Sequence, residues 1–349
     1  MEKPLKNKWP LVGNRQVSDF LEKSVVAGNL ASAYIFFGLK DLGKTAAAVY
    51  FAQTLLCQKH QTGVFAPPCG ECSSCSRFSS KNSDSQNLEV THGDFHVLRK
   101  KSDKKNISVE DVREFIRLLS LSSFLGSYKI GLIKEAENLS QEAANALLKT
   151  LEEPRLKVII ILTVSRLDIL PKTILSRSQI LRFAPVKFSE IHDFLMKEKN
   201  FTRDVALNAA KLSLGRPALA AKFAEDRDFH ENYGVSADCF LNFFQQGIAK
   251  RFKNIDSLLA IRDSNEGQGE KVMEIIGVWR GLARDLLLLS AVSGNLAQNY
   301  NRLSDLEKIS QSRQCFFWPK LLKKIDLAED YVRANVNPRL VLEGIAADI

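Results

Sequence analysis

Three groups of residues have types and spacings that could do chemistry. The first is Gly38-x4-Gly43-Lys44-Thr45. Glycines at those positions let backbone N–H groups wrap a phosphate. The lysine then reaches the β- and γ-phosphates, and the threonine hydroxyl ligates Mg²⁺. Asp41 sets a negative charge inside this P-loop pattern, so a loop that only caps its helix stays open as a second reading. The second group is Cys57-x11-Cys69-x2-Cys72-x2-Cys75. Four thiolates close a tetrahedral Zn²⁺ site and leave no open position, which makes the metal structural rather than catalytic. Gly70 permits the tight turn that aims the thiolates inward. The plainer reading is a set of free thiols. The third group is Leu175-Ser176-Arg177-Ser178. An arginine displayed after an apolar strand could complete a neighbour's ATP site, although a solvated arginine is the default for such a segment alone.

A P-loop ATPase also needs a second strand ending in two carboxylates, one for Mg²⁺ and one to polarise the attacking water. Here Ile130-Gly131-Leu132-Ile133 runs into Lys134-Glu135-Ala136-Glu137. Glu135 keeps the water-polarising position, but a lysine stands where the metal ligand belongs. This argues against hydrolysis. Cys239 and Cys315 stand alone among apolar residues and are expected in the core. His60, His92, His96, His192 and His230 show no ligand spacing to one another. Arg99, Lys100, Lys101, Lys104 and Lys105 could bind nucleic-acid phosphates, yet a charge run in a loop is ordinarily just solvated.

The elements that must position these groups are legible. Ala33–Phe37 reads as a buried strand, followed by the glycine loop and the alanine-rich helical stretch Ala46–Leu56. Ser79–Gln86 reads as a loop and His96–Leu98 as a short strand. Ser108 with Asp111 makes a capping box before Val112, Phe115, Ile116 and Leu119 at helical spacing. Lys129–Ile133 and the apolar run Val158–Val164 read as strands. Between them Ser140 caps a helix that Pro154 stops. Pro171–Ser178 reads as a short helix and Ile180–Phe183 as a last strand. Alternating strands and helices over residues 30–185 call for a parallel α/β sheet. Beyond Pro185 only helical periodicity remains, with breaks at Gly215-Arg216-Pro217 and Ser264–Gly269. Boundaries fall near 185 and 230. Trp279, Leu282, Leu286 and Leu289, then Trp318, Leu321, Leu322 and Ile325, form apolar stripes in the last part.

The chain has 349 residues, 49 Lys plus Arg against 40 Asp plus Glu, and is 45% hydrophobic. That length supports two or three domains, and the balance excludes a disordered or fibrous chain. No apolar run approaches the ~20 residues of a membrane span, and no signal-peptide pattern opens the sequence, so a cytoplasmic, membrane-free protein is expected. Four cysteines crowded into 57–75 favour metal over disulfide in such a reducing compartment. A net charge of +9 permits contact with polyanions without proving it.

Ala143-Ala144-Asn145-Ala146-Leu147-Leu148-Lys149-Thr150-Leu151-Glu152-Glu153-Pro154 resembles the AANALLKTLEEP signature of bacterial DNA polymerase III clamp-loader subunits. Thr173–Ser178 resembles their TILSRC segment with serine for the cysteine. Val12-Gly13-Asn14, Ser32-Ala33-Tyr34, His92-Gly93-Asp94 and the four cysteines fit the same family. The resemblance implies an AAA+ core over residues 1–185 with a zinc module at about 57–80. It implies next a helical lid over 186–232 and an all-helical collar over 233–349 that holds a ring together. Within the family the chain is similar to the non-motor delta-prime type: Lys134 breaks the acidic pair, Arg177 is kept, and no long extension follows the helical region. That type lacks ATPase and polymerase activity of its own and lends its arginine, here Arg177, to an adjacent motor subunit. The implied partners are gamma/tau-like motor subunits and a delta subunit, with the sliding clamp and primed DNA met through the complex. Retained Gly38, Gly43, Lys44 and Thr45 leave ATP possible but not required. An ATP-hydrolysing gamma/tau-like motor subunit is the alternative, and a stand-alone zinc-bearing DNA-binding protein is a third reading.

Overall fold

A computed structural model of the chain describes residues 9–59, 65–78, 92–101, 104, 106–123, 128–154, 157–261, 268–291 and 296–349. His60, Lys105, the expected loop Ser79–Gln86 and most of the Ser264–Gly269 break lie outside them. Two compact units are formed, one of Met1–Ile191 with Gly215–Ala218, the other of His192–Leu214 with Leu219–Ile349.

The first unit is built on five parallel strands, β1 (Ala33–Phe37), β2 (Phe95–Leu98), β3 (Lys129–Ile133), β4 (Val158–Val164) and β5 (Gln179–Arg182). Their order across the sheet is β2-β3-β4-β1-β5. The helices between them are α1 (Arg15–Val26), α2 (Lys44–Leu56), α3 (Ser73–Ser76), α4 (Val109–Ser120), α5 (Gln141–Glu152) and α6 (Lys172–Ser176). Side chains alternate across a strand, so each of these strands feeds two cores. Tyr34, Phe36, Ile130, Leu132, Ile159 and Ile161 pack with Leu21 of α1 and Phe51 and Leu55 of α2. Ala33, Ile35, Ile133, Ile160 and Leu162 pack on the other face with Phe115 of α4, Leu147 of α5 and Ile174 of α6. Burial on both faces is why Val158–Val164 reads as an unbroken apolar run. Ser108 caps α4 by accepting from Asp111 N–H, and Ser140 caps α5 through Ala143 N–H.

After β5 the described residues form only helices: α7 (Phe188–Lys197), α8 (Arg203–Leu212), α9 (Pro217–Glu225), α10 (Arg227–Asn242), α11 (Ile248–Ile261), α12 (Gln268–Ser290), α13 (Leu303–Gln311), α14 (Phe317–Arg333) and α15 (Pro338–Ala347), with short 3₁₀ turns. The second unit's core gathers Phe240, Phe243, Trp279, Leu282, Leu286, Trp318, Leu321 and Ile325, so both expected stripes face inward. Asp285 of α12 is fully buried there. It accepts from Gln298 N–H, Asn299 N–H and Asn299 Nδ2, the closest at 2.8 Å. Cys239 is buried, and burial pushes its thiol up to about 12. Cys315, expected in the core, is exposed instead. It lies before α14, where Phe316 is exposed and Trp318 is the first fully buried side chain. No described helix is long and apolar enough to cross a membrane.

Candidate functional site

The P-loop joins β1 to α2 at the carboxyl end of the sheet, where ligands of parallel α/β folds bind. Gly38 N–H donates to Val164 O at 3.0 Å, tying the loop to β4. Gly38 has φ +155°, and a Cβ there would stand 2.5 Å from the carbonyl oxygen of Phe183, so only glycine fits. Gly43 and Asp41 are left-handed as well, at φ +89° and +67°. Lys44, at the start of α2, is buried and folds back into its own loop. Its ammonium donates to the carbonyls of Gly38 and Leu39, the second at 2.6 Å. Burial brings Lys44 down to about 8, opposed by the charges of Glu137, Asp41 and Glu135. The Asp41 carbonyl accepts from Ala218 N–H at 3.1 Å.

The expected acidic strand is β3. Lys134 leaves its end half-buried, with its N–H on Leu98 O at 2.9 Å. Glu135 adopts φ +51° and its N–H donates to Thr163 Oγ1 at 3.0 Å. Glu137 accepts from Ser165 N–H at 3.2 Å through Oε1, while Oε2 is buried without a hydrogen-bond partner. The carboxylate that acts on Lys44 most is therefore Glu137, outside the expected pair.

The four cysteines converge. Cys57 ends α2, Cys69 precedes the left-handed Gly70, Cys72 caps α3 and Cys75 lies within it. All four Sγ atoms lie within 4.8 Å of one another, and Cys69 and Cys75 are 3.9 Å apart. A tetrahedron with ~2.3 Å Zn–S bonds has edges of about 3.8 Å. Cys69 Sγ accepts from Cys72 N–H, and Cys72 Sγ from Cys75 N–H, each at 3.4 Å. Hydrogen bonds from the Glu71 and Cys72 backbone pull the Cys69 thiol down to about 6, towards the thiolate that a metal needs. The donor set fits Zn²⁺, which would cross-link the end of α2 to the loop that carries the other three thiolates.

Spacing gave His92 no role, yet the ring sits under this module. It is buried, its Nδ1 accepts from Asp94 N–H at 3.0 Å, and its Nε2 meets Ser74 Oγ at 2.9 Å. An accepting Nδ1 leaves the proton on Nε2. Ser74 Oγ in turn donates to Leu56 O at 2.6 Å. The chain of bonds links β2 to the residues beside Cys57 and Cys75. Only its position before Asp94 hinted at this in the sequence. Lys101 and Lys104, from the basic run, are paired with Asp111 at 2.9 and 3.1 Å.

Arg177 follows α6 at the surface, just before the edge strand β5. Its Nη1 donates to Thr173 O at 3.2 Å and to Ser176 Oγ at 3.3 Å, and Nη2 pairs with Glu152 at 3.0 Å. Glu152 belongs to the twelve-residue signature, so two expected motifs meet here, a contact that spacing alone does not reveal.

The family model described as DNA polymerase III, delta subunit, matches residues 13–187. The chain belongs to this family. It is 31% identical over 193 residues to a DNA polymerase III subunit gamma of Buchnera aphidicola, covering 54% of this chain and 48% of the relative. It is 35% identical over 147 residues to a DNA polymerase III subunit delta' of Pseudomonas aeruginosa, covering 42% and 41%. The chain thus spans about half or less of the length of these curated relatives. A solved DNA polymerase III gamma subunit-related protein of Thermotoga maritima covers 96% of this chain and 97% of its own, at 19% identity and a TM-score of 0.48.

Proposed function

We propose that this member of the family is a non-motor, delta-prime-like clamp-loader subunit. The observation that carries the reading is Lys134 at the end of β3. An ammonium there cannot ligate Mg²⁺ and opposes its charge, so the machinery for hydrolysis is incomplete. The exposed position of Arg177 supports a role in trans, because its contacts within this chain, to Thr173 O, Ser176 Oγ and Glu152, all lie at the surface. In this reading an AAA+ core over 1–185 is followed by a lid over 186–232 and a collar over 233–349. Gamma/tau-like motor subunits and a delta subunit are the partners in a cytoplasmic replisome, and the sliding clamp and primed DNA are met through the complex. Zn²⁺ on Cys57, Cys69, Cys72 and Cys75 is structural. The second reading, a gamma/tau-like motor, is favoured by the retained Lys44 and Thr45. ATP turnover by the purified chain separates the two. None above the Lys44→Ala background is expected, and turnover that Lys44→Ala abolishes would overturn the proposal.

A further inference from the structure

Three contacts orient the Arg177 guanidinium within its own chain. Nη1 donates to Thr173 O at 3.2 Å and to Ser176 Oγ at 3.3 Å, and Nη2 pairs with Glu152 Oε1 at 3.0 Å. The first two tie the arginine to its own short helix, α6. The third ties it to α5, whose last residue is Glu152. Both helices are anchored close to the pair. Leu151, next to Glu152, and Ile174, three residues before Arg177, are buried in the same core. The surface contact is therefore made between two fixed points.

The place of Glu152 has no explanation in its own helix. A carboxylate in the last turn meets the negative end of the helix dipole, where a cation is favoured. An exposed ion pair of this kind also adds little to stability. What the pair does supply is orientation. An arginine free in solvent gives up much rotamer freedom when it engages an anion, and one already held gives up less. The guanidinium keeps donors to spare, since its Nε–H has no acceptor among the described residues. We propose that Glu152 is a positioning residue: it holds Arg177 at the surface in the orientation from which the guanidinium reaches the γ-phosphate of a nucleotide bound to an adjacent subunit. The proposal rests on the reading of Arg177 as acting in trans and adds the residue that aims it. The acceptor at Oε1 carries the effect, and the arginine's other donors meet the phosphate.

The test uses the ring rebuilt with wild-type gamma-like motor and delta subunits, read by pre-steady-state ATP hydrolysis with clamp and primed DNA. Glu152→Ala should lower the maximal rate at the adjacent site by about two- to fivefold, the span an exposed charged pair can command. The ATP concentration giving half that rate should not move, because the nucleotide is held by the motor subunit's own loop. Glu152→Gln keeps an acceptor for Nη2 and should retain most of the rate. In an Arg177→Ala ring, Glu152→Ala should change nothing further, since a positioning residue acts only through the group it positions. Urea unfolding and ring assembly should match the wild type throughout. An unchanged or raised rate with Glu152→Ala, a Gln variant no better than Ala, or an equal loss in the Arg177→Ala background overturns the proposal while the reading of Arg177 stands. If Arg177→Ala itself leaves the rate intact, the trans reading falls and the proposal with it.

Discussion

His92→Phe should loosen the four-cysteine module while leaving the sheet folded. The ring's volume and its contact with Phe78, 5.3 Å between centroids, are retained, whereas the bonds to Asp94 N–H and Ser74 Oγ are lost. Two buried hydrogen bonds at about 1 kcal/mol each, plus the desolvation of an orphaned Asp94 N–H, give a cost of about 2–4 kcal/mol. His92→Ala adds a cavity and should cost more. The loss falls beside Cys57 and Cys75, because Ser74 also holds Leu56 O. If metal leaves through opening of these contacts, extraction by a chromogenic chelator should quicken on the order of 30- to 700-fold. The pH dependence has a definite sign. Burial pushes His92 below the usual histidine range, with Asp94 opposing. The unfolded chain therefore takes its proton first, so the stability carried by a neutral His92 is complete above that range and falls as pH drops through it. The Phe variant should lose this part of the acid sensitivity. Unchanged zinc release and unchanged urea unfolding in His92→Phe would refute the reasoning.

Asp285→Ala removes the acceptor of three donors in the second unit and should destabilise it by about 3 kcal/mol or more, read by urea unfolding followed through Trp279 and Trp318 fluorescence; a change under about 1 kcal/mol contradicts the assignment.

Much of the sheet is visible in the sequence because doubly buried parallel strands are apolar runs with clean stops. Val158–Val164 and Lys129–Ile133 are read at their observed bounds. Helix α1 is harder to read, since its buried side is only Val17, Ser18, Leu21 and Val25. Its start depends on Asn14, left-handed at φ +50°, whose side chain exchanges hydrogen bonds with the backbone of Ala184 across the fold. Helix α3 is four residues held among the four clustered cysteines, too short for any periodicity. At the site, residue types announce the P-loop, the cysteines and Lys134. The inward fold of Lys44, the Glu152–Arg177 pair and the His92–Ser74 link are long-range contacts that spacing does not encode. Cys315 misleads because Phe316 and Phe317 follow it, although Phe316 faces outward.

The central claim is that this chain serves a neighbour's ATP site and not its own. It is tested most directly by rebuilding the clamp-loading ring with wild-type gamma-like motor and delta subunits and two variants of this chain, Arg177→Ala and Lys44→Ala. Arg177 is exposed, so its variant should fold, keep its zinc and assemble, yet clamp- and DNA-stimulated ATP turnover should fall by about tenfold or more at the adjacent motor site alone. The Lys44→Ala ring should load clamps as the wild type does. Full loading with Arg177→Ala, or loss of loading with Lys44→Ala in a normally assembled ring, would contradict the account.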